Sequence, residues 1–491
     1  MYLLSSVLLQ TCRRMRAAAL LFAILFTIAL APLSGQEVKV YVSSKAGDRL
    51  SAKKPLRFEP AAPKVPTFQI DDRVKYQTMI GFGASILEAG LVVLNTLPPA
   101  EQETVLRALF DPETGAGFSA MKTTIGGTDF MSAGPWYTYD DTPDDVDLNH
   151  FSIVRDLGPN GSLTFIKRAR KYGKFVLQAP MDYPPDWMLY DVNARQDVNP
   201  KYYDALTHYY LKYLEEYRKH GVFIDYLSLF NEPGVYTKIP YNEIAELLKN
   251  HVGPQLEKSG LKTKIMLSEA PRRGVAYEKY PTVLDDPEAR KYVAALPYHG
   301  YDMKDFDKIA ALHKLFTDLP LWETEVCWCY ICGAPKNIPL PRYDWEDGDH
   351  WGRQIFGDLG ASAAAWIYWN MILDEKGGPW MVSPIHEDPD PNVQHPLVVI
   401  DRTAKQVTYT AAFYYLEHFS KFVRPGDVRV KATGSMEEVQ CLAFQSPQGG
   451  LVAEILNSRG TDAKVALESR GRILSISLPA LSITTLIWSP L

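Results

Sequence analysis

Between residues 76 and 424 the chain alternates short apolar runs with longer amphipathic stretches, and this alternation constrains the fold more than any other feature. The apolar runs fall at 79–82, 120–125, 175–179, 226–230, 264–267, 295–298, 321–324 and 364–369. Stretches of helical periodicity lie between most of them, at 99–110, 163–172, 202–220, 241–259, 305–316 and 350–360. A short apolar run suits a strand buried on both faces, and a longer stretch with one apolar side suits a helix packed over it. Eight such strands with intervening helices make the α/β class, and specifically a (β/α)8 TIM barrel. An open doubly wound sheet would announce itself by a glycine-rich phosphate turn after the first strand. Gly81-Phe82-Gly83-Ala84-Ser85 lacks the third glycine and the spacing for that turn.

The flanks read differently. After Arg424 the helical pattern stops, and short strand-like runs at 428–430, 441–444, 451–456, 473–478 and 484–488 are parted by Gly, Ser, Asn and Pro. This pattern predicts a small attached β-sandwich domain. Residues 36–75 open with the alternating run Val38-Lys39-Val40-Tyr41-Val42, continue into a Pro- and Lys-rich loop, and are assigned to the same side domain. Residues 1–35 contain Arg13, Arg14 and Arg16, an apolar run from 17 to 31 broken by Thr27, and then Pro32-Leu33-Ser34-Gly35. Fifteen residues is short of the ~20 that a membrane span needs, so the segment reads as a secretory signal, with a retained anchor as the alternative. Either Met1 or Met15 can start it. The expected domains are therefore a signal peptide at 1–35, a barrel at 76–424, and a side β-sandwich from 36–75 plus 425–491. The barrel segment exceeds the typical ~250 residues, and the surplus is expected in rim loops at 128–160 and 327–349.

Charge and cysteines narrow the function. The net charge of −6 falls to −9 once the three signal arginines are removed. That balance argues against a nucleic-acid partner. Cys327, Cys329 and Cys332 crowd together with Cys441 far away. A zinc site would need a fourth ligand nearby, so a local disulfide or buried free thiols are expected. Nothing in the sequence calls for a metal or an organic cofactor.

In a TIM barrel the chemistry sits at the C-terminal ends of the strands. Glu232 closes the fourth apolar run and Glu325 closes the seventh. An acid at the end of an apolar strand costs desolvation energy unless it is paired or used. Two such carboxyls facing one cleft fit glycosidic cleavage, in which one is protonated to release the leaving oxygen and the other is ionised to attack the anomeric carbon. An ion pair with a neighbouring Lys or Arg is the structural alternative for each. Glu323 is a rival to Glu325, since strand alternation points both to the same side, but Glu325 lies nearer the rim. Aromatics make up 12% of the chain, and Trp366-Ile367-Tyr368-Trp369-Asn370 ends the eighth strand at the same rim, where flat rings can face a sugar.

These residues resemble glycoside hydrolase family 30, the family of acid β-glucosidases (glucosylceramidases). The likeness rests on Asn231-Glu232-Pro233, Thr324-Glu325, Ile80-Gly81-Phe82-Gly83-Ala84, Asp129-Phe130 with the segment Tyr137 to Asp145, Gly377-Gly378-Pro379, and His418-Phe419-Ser420-Lys421-Phe422. It implies a retaining β-glycosidase with Glu232 as acid/base and Glu325 as nucleophile. Asn231 would contact the sugar 2-hydroxyl, and Asp129 would bind hydroxyls far from the anomeric carbon. Tyr301, beside His299, would hydrogen-bond the catalytic carboxylates, and Trp369 would line the sugar site. A carbohydrate or glycolipid substrate follows, with peripheral contact to a lipid surface.

Four departures stand out. Lys122 stands where the family has arginine, and a lysine cannot reproduce a bidentate fork. Met181 stands at the matching place of a sugar-contacting tryptophan, with one extra residue nearby. Tyr368 replaces an acid, and Gly300 an aromatic residue. The chemistry is thus expected to be kept and the sugar pocket altered. This opens β-xyloside, β-1,6-glucan or β-glucuronide as alternatives to a glucosylceramide. A carbohydrate-binding protein without catalysis is the alternative from another class.

Overall fold

The computed structural model describes residues 37–489 apart from 61–64, 133, 135, 191–196, 236, 330–336 and 382–391. The signal segment and Cys332 lie outside the described residues. Three strands open the chain: β1 (Glu37–Ser44), β2 (Ser51–Arg57) and β3 (Thr67–Thr78). The barrel strands follow: β4 (Gly81–Ser85), β5 (Ala120–Lys122), β6 (Val176–Pro180), β7 (Tyr226–Ser228), β8 (Lys264–Met266), β9 (Val293–His299), β10 (Leu321–Glu325) and β11 (Ala363–Asn370). These eight pair in parallel and close in the order β10-β11-β4-β5-β6-β7-β8-β9.

The barrel interior is packed rather than hollow. Ala120, Met266, Ala295, Trp322, Ala365 and Ile367 fill it, with the Tyr226 and Trp322 rings 4.9 Å apart. Residues of opposite parity face the surrounding helices. The helix at 241–259 is Tyr241–Leu247 and Gly253–Ser259 joined by a π turn over Leu248–Val252. A small sheet of β12 (Ile372–Asp374), β13 (Val398–Ile400) and β14 (Val407–Tyr409) follows the eighth barrel strand.

The last strands are β15 (Val428–Thr433), β16 (Val439–Gln445), β17 (Leu451–Asn457), β18 (Ala463–Ser469), β19 (Arg472–Leu478) and β20 (Ser482–Trp488). They join β1–β3 in one nine-stranded sheet, ordered β19-β18-β3-β15-β16-β17-β20-β1-β2. An isolated bridge between Glu59 and Ile473 ties the two edges together, so the sheet folds over its own core of Val38, Val40, Ile455, Val465 and Leu486.

Two expectations need correction here. The Pro- and Lys-rich stretch read as loop contains strand β2, whose Lys53, Lys54 and Pro55 are tolerated because β2 is an edge. Residues 463–469, not foreseen as a strand, form β18. The side sheet meets the barrel at the helix Ala411–Phe422, where His418 Nε2 lies 2.9 Å from Ser43 Oγ and Nδ1 lies 2.6 Å from Thr485 Oγ1.

Candidate active site

The C-terminal ends of β5 to β11 converge on one cluster of charged side chains. Lys122, the last residue of β5, is fully buried. Its Nζ donates to Glu325 Oε2 at 2.6 Å, Glu269 Oε2 at 2.9 Å and Asn231 Oδ1 at 3.1 Å. Burial disfavours the ammonium form, yet Glu269 and Glu325 outweigh that cost and hold Lys122 charged. The Lys122 ammonium also lies 5.0 Å from the centre of the Trp369 ring, which places this tryptophan at the cluster.

His299, at the end of β9, bridges two carboxylates. Its Nδ1 lies 2.8 Å from Glu232 Oε1 and its Nε2 lies 3.0 Å from Glu269 Oε2. Burial works against the imidazolium, but Glu325 and the hydrogen bonds to Glu232 and Glu269 raise its pKa to about 10. Glu269 is fully enclosed; burial opposes its charge, and Lys122 and His299 overcome that to lower its pKa to about 2. Its Oε2 also accepts from Thr324 Oγ1 at 2.8 Å.

Glu325 is held by both oxygens. Tyr301 Oη donates to Oε1 at 2.9 Å while Lys122 holds Oε2. Glu232 follows the end of β7 with a left-handed backbone, φ 49°, an uncommon conformation for a residue that precedes proline. Its N–H donates to the Glu269 carbonyl at 2.9 Å, and the Asn231 N–H donates to the Met181 carbonyl at 2.8 Å. These bonds stitch the rims of β6, β7 and β8 together and hold the strained turn. One carboxylate oxygen of Glu232, one of Glu325 and a ring nitrogen of His299 lie within 4.8 Å of one another. That spacing would suit a cation, but an imidazolium offers no lone pair, and the Lys122 ammonium already sits on Glu325.

Asp129 sits on the loop after β5 and accepts from Asn392 Nδ2 at 2.8 Å. A relay runs from there towards Tyr301 and Glu325. Gln394 Nε2 donates to Asn392 Oδ1 at 3.2 Å, and Gln394 Oε1 accepts from Asn370 Nδ2 at 2.6 Å and from the Cys327 thiol at 3.1 Å. Cys327 Sγ lies 3.9 Å from Tyr301 Oη. Cys327 is therefore a buried free thiol, as is the half-buried Cys441, whereas Cys329 is disulfide-bonded.

The structure thus brings Lys122, Asn231, Glu232, His299, Tyr301, Glu325 and Trp369 together, with Asp129 linked to them through Asn392 and Gln394. It separates others. Glu323 and Glu325 do not share a side, because the β9–β10 register slips between them. Glu323 instead accepts from the backbone N–H groups of Glu325 at 3.2 Å and Ile367 at 3.4 Å; burial, with Asp358 beside it, pushes its carboxyl well up. Met181 does not face the pocket either, since its Sδ lies 3.6 Å from Tyr210 Oη on the helix Tyr203–Lys219. Trp366 and Tyr368 also turn to the helices: Trp366 Nε1 donates to Asp358 at 3.1 Å, and the Tyr368 ring packs edge-on against Trp351.

Sequence reasoning missed Glu269. The signal was present, since Leu267-Ser268-Glu269 closes the fifth strand as Asn231-Glu232 closes the fourth. Gly300 has its own explanation. A Cβ there would come within 3.1 Å of both Arg273 Nη2 and Val326, so the buried Arg273 occupies the space an aromatic would need. Arg273 pairs with both oxygens of Asp358, at 2.8 and 2.7 Å. Beside Glu232 a cavity of about 540 Å³ is walled by Pro233, Ile239, Pro240, Tyr241, Val275 and Lys279.

Comparison with known proteins agrees with this architecture. Residues 79–423 match the glycosyl hydrolase family 30 TIM-barrel domain, and residues 426–486 match that family's β-sandwich domain. Putative glucosylceramidase 4 of Caenorhabditis elegans is 28% identical over 86% of this chain and 82% of its own. The endo-1,6-beta-D-glucanase of Neurospora crassa is 28% identical over 80% of this chain and 82% of its own. In fold, a solved endo-β1,6-glucanase superimposes with a TM-score of 0.80 at 22% identity, covering 93% of this chain and all of the other.

Proposed function

This chain belongs to glycosyl hydrolase family 30 and is a glycosidase, and we propose that it cleaves a β-glucosyl-type bond with retention of anomeric configuration. One observation carries the retaining reading: carboxylate oxygens of Glu232 and Glu325 lie within 4.8 Å. Double displacement uses carboxyls ~5–5.5 Å apart, whereas inversion needs ~6.5–9.5 Å to admit a water. Glu325, its two oxygens fixed by Tyr301 and Lys122, attacks the anomeric carbon while Glu232 gives its proton to the leaving oxygen. Glu232 then takes a proton from the water that frees the sugar from Glu325. Lys122 and His299 supply fixed positive charge around the carboxylates, so the site need not reorganise as charge moves.

Relatives that carry glucosylceramidase and endo-1,6-β-glucanase names support a β-linked glucosyl unit. Export rests on the basic and apolar pattern of residues 13–35. The test follows the anomers released from aryl β-glucosides, β-xylosides and β-1,6-linked glucans by proton NMR. Retention means that the β anomer appears first; the α anomer first, or no cleavage of any of them, rejects the reading.

A further inference from the structure

Asp182 lies just beyond β6, and its place follows from strand alternation. Val176 belongs to the barrel interior, whereas Leu177, Ala179 and Met181 belong to the helix-side core. The two-residue period therefore carries Gln178, Pro180 and Asp182 to the interior side. Met181 thus turns to Tyr210, and Asp182 turns inward.

Asp182 lies within electrostatic reach of Lys122, Glu325, Glu269 and Glu232 together, which places it at the mouth. It is 3% exposed, against 7% for Glu232 and 5% for Glu325, so it is enclosed to the same degree as the reacting carboxyls. Its Oδ1 has no hydrogen-bond partner among the described residues. A buried polar atom left unpaired costs ~1–3 kcal/mol and calls for an explanation in a native structure. No structural role accounts for it, since Asp182 caps no helix and Lys122 gives its hydrogen bonds to Glu325, Glu269 and Asn231.

We infer that Asp182 is a specificity-determining residue that hydrogen-bonds a hydroxyl on the edge of the glycon remote from the anomeric carbon, at C3 or C4. The inference rests on the glycosidase reading above for the position of the sugar. In the barrel order β6 lies four strands from β10, directly across the mouth from Glu325. A pyranose whose anomeric carbon meets Glu325 turns its far edge to β6. Burial pushes the Asp182 carboxyl up against the pull of Lys122, with Glu325, Glu269 and Glu232 adding to the rise. A neutral carboxyl offers an O–H donor as well as an acceptor, and so selects a free hydroxyl.

Calorimetric binding of 1-deoxynojirimycin and its 3-deoxy, 4-deoxy and 6-deoxy analogues to the full chain tests this without requiring turnover. In the wild type, the 3-deoxy or the 4-deoxy analogue should bind roughly tenfold or more weakly than the parent. In Asp182→Ala that penalty should shrink to within about threefold while the 6-deoxy penalty stays, and Asp182→Asn should restore most of it. Unchanged 3- and 4-deoxy penalties in Asp182→Ala, or no binding of any of these compounds by the wild type, overturn the inference. Should Asp182→Ala fail to fold, a crystal of Glu325→Gln with bound 1-deoxynojirimycin decides. A ring hydroxyl within hydrogen-bond distance of Asp182 supports the inference, and none within it overturns it. Binding with this pattern, but no cleavage of any β-glycoside, would reject the glycosidase reading and leave Asp182 as a sugar-binding residue.

Discussion

Nζ of Lys122 lies 2.6 Å from Oε2 of Glu325, and the same ammonium lies 2.9 Å from Oε2 of Glu269. One buried cation thus serves two carboxylates, Glu325 at the strand end and the fully enclosed Glu269. An arginine can grip one carboxylate with a fork; a lysine is a point charge with three donors, and here each donor goes to a different residue. A lysine at this position changes the pattern of hydrogen bonds while keeping a positive charge against Glu325.

Lys122→Met should therefore destabilise the fold by ~3–5 kcal/mol, because it leaves Glu269 and Glu325 buried with one cation fewer. Urea denaturation reads the loss, and kcat/KM on an aryl β-glucoside should fall more than about tenfold. Lys122→Arg should recover part of both. A Lys122→Met variant as stable as the wild type would show that the pair does not hold the site.

Glu323→Gln separates the two acids of β10. The Glu323 carboxyl is pushed well up and accepts one backbone N–H on each oxygen; in the amide one oxygen still accepts while the other N–H loses its acceptor, a local cost that leaves the Glu325 contacts to Lys122 and Tyr301 in place. Turnover should stay within about threefold of wild type, whereas Glu325→Gln should lower kcat by more than ~10³-fold. Comparable losses in the two variants would contradict the assignment.

The charge cluster also makes a pH prediction. His299 is raised from 6.5 to about 10, so its stabilising contribution is complete below pH 6.5 and is lost as pH rises through 10. Glu269 is lowered from 4.5 to about 2, so its contribution is complete above pH 4.5 and is lost as pH falls through 2. Between pH 4.5 and 6.5 both are present. His299→Gln should be markedly less stable than wild type in that window, and the gap should narrow as pH rises towards 10. Denaturation midpoints measured at half-unit steps check this; a gap that is flat or grows with pH would refute it.

Gly300→Trp should destabilise by ~1–3 kcal/mol through overpacking, because a side chain there meets Arg273 and Val326. It should also lower kcat, since Tyr301, the next residue, holds Glu325. Gly300→Ala should show the smaller version of both effects. Thermal unfolding and turnover measured on the same samples check it, and a neutral Gly300→Trp would contradict the packing account.

Much of the barrel was legible because each of its strands is a short apolar run, and the convergence of Glu232 and Glu325 was legible because each closes one. The same rule points to Glu269, which follows its apolar run through Ser268 as Glu232 follows its own through Asn231, but its pairing with Lys122 and His299 is made only by the closed barrel. Alternation placed Glu323 and Glu325 on one side because it presumes an unbroken register. The slip between them against β9 is a pairing event that no local pattern records. Met181 stands at the matching place of the family's tryptophan, but position in a motif does not fix the side on which a side chain lies, and it turns to Tyr210. Asn392 and Gln394 reach Asp129 and Cys327 from a segment more than 60 residues beyond either, a contact made only by the closed barrel. The edge strand β2 was hidden by its lysines and proline, the residues that suit an edge.

Covalent trapping tests the central claim most directly. The wild-type chain is inactivated with 2-deoxy-2-fluoro-β-glucosyl fluoride, digested, and mapped by mass spectrometry. The account predicts one fluoroglucosyl adduct on the peptide that contains Glu325, with fragmentation placing it on that residue. An adduct on Glu323, Glu269 or Glu232, or inactivation with no covalent mass, would contradict it.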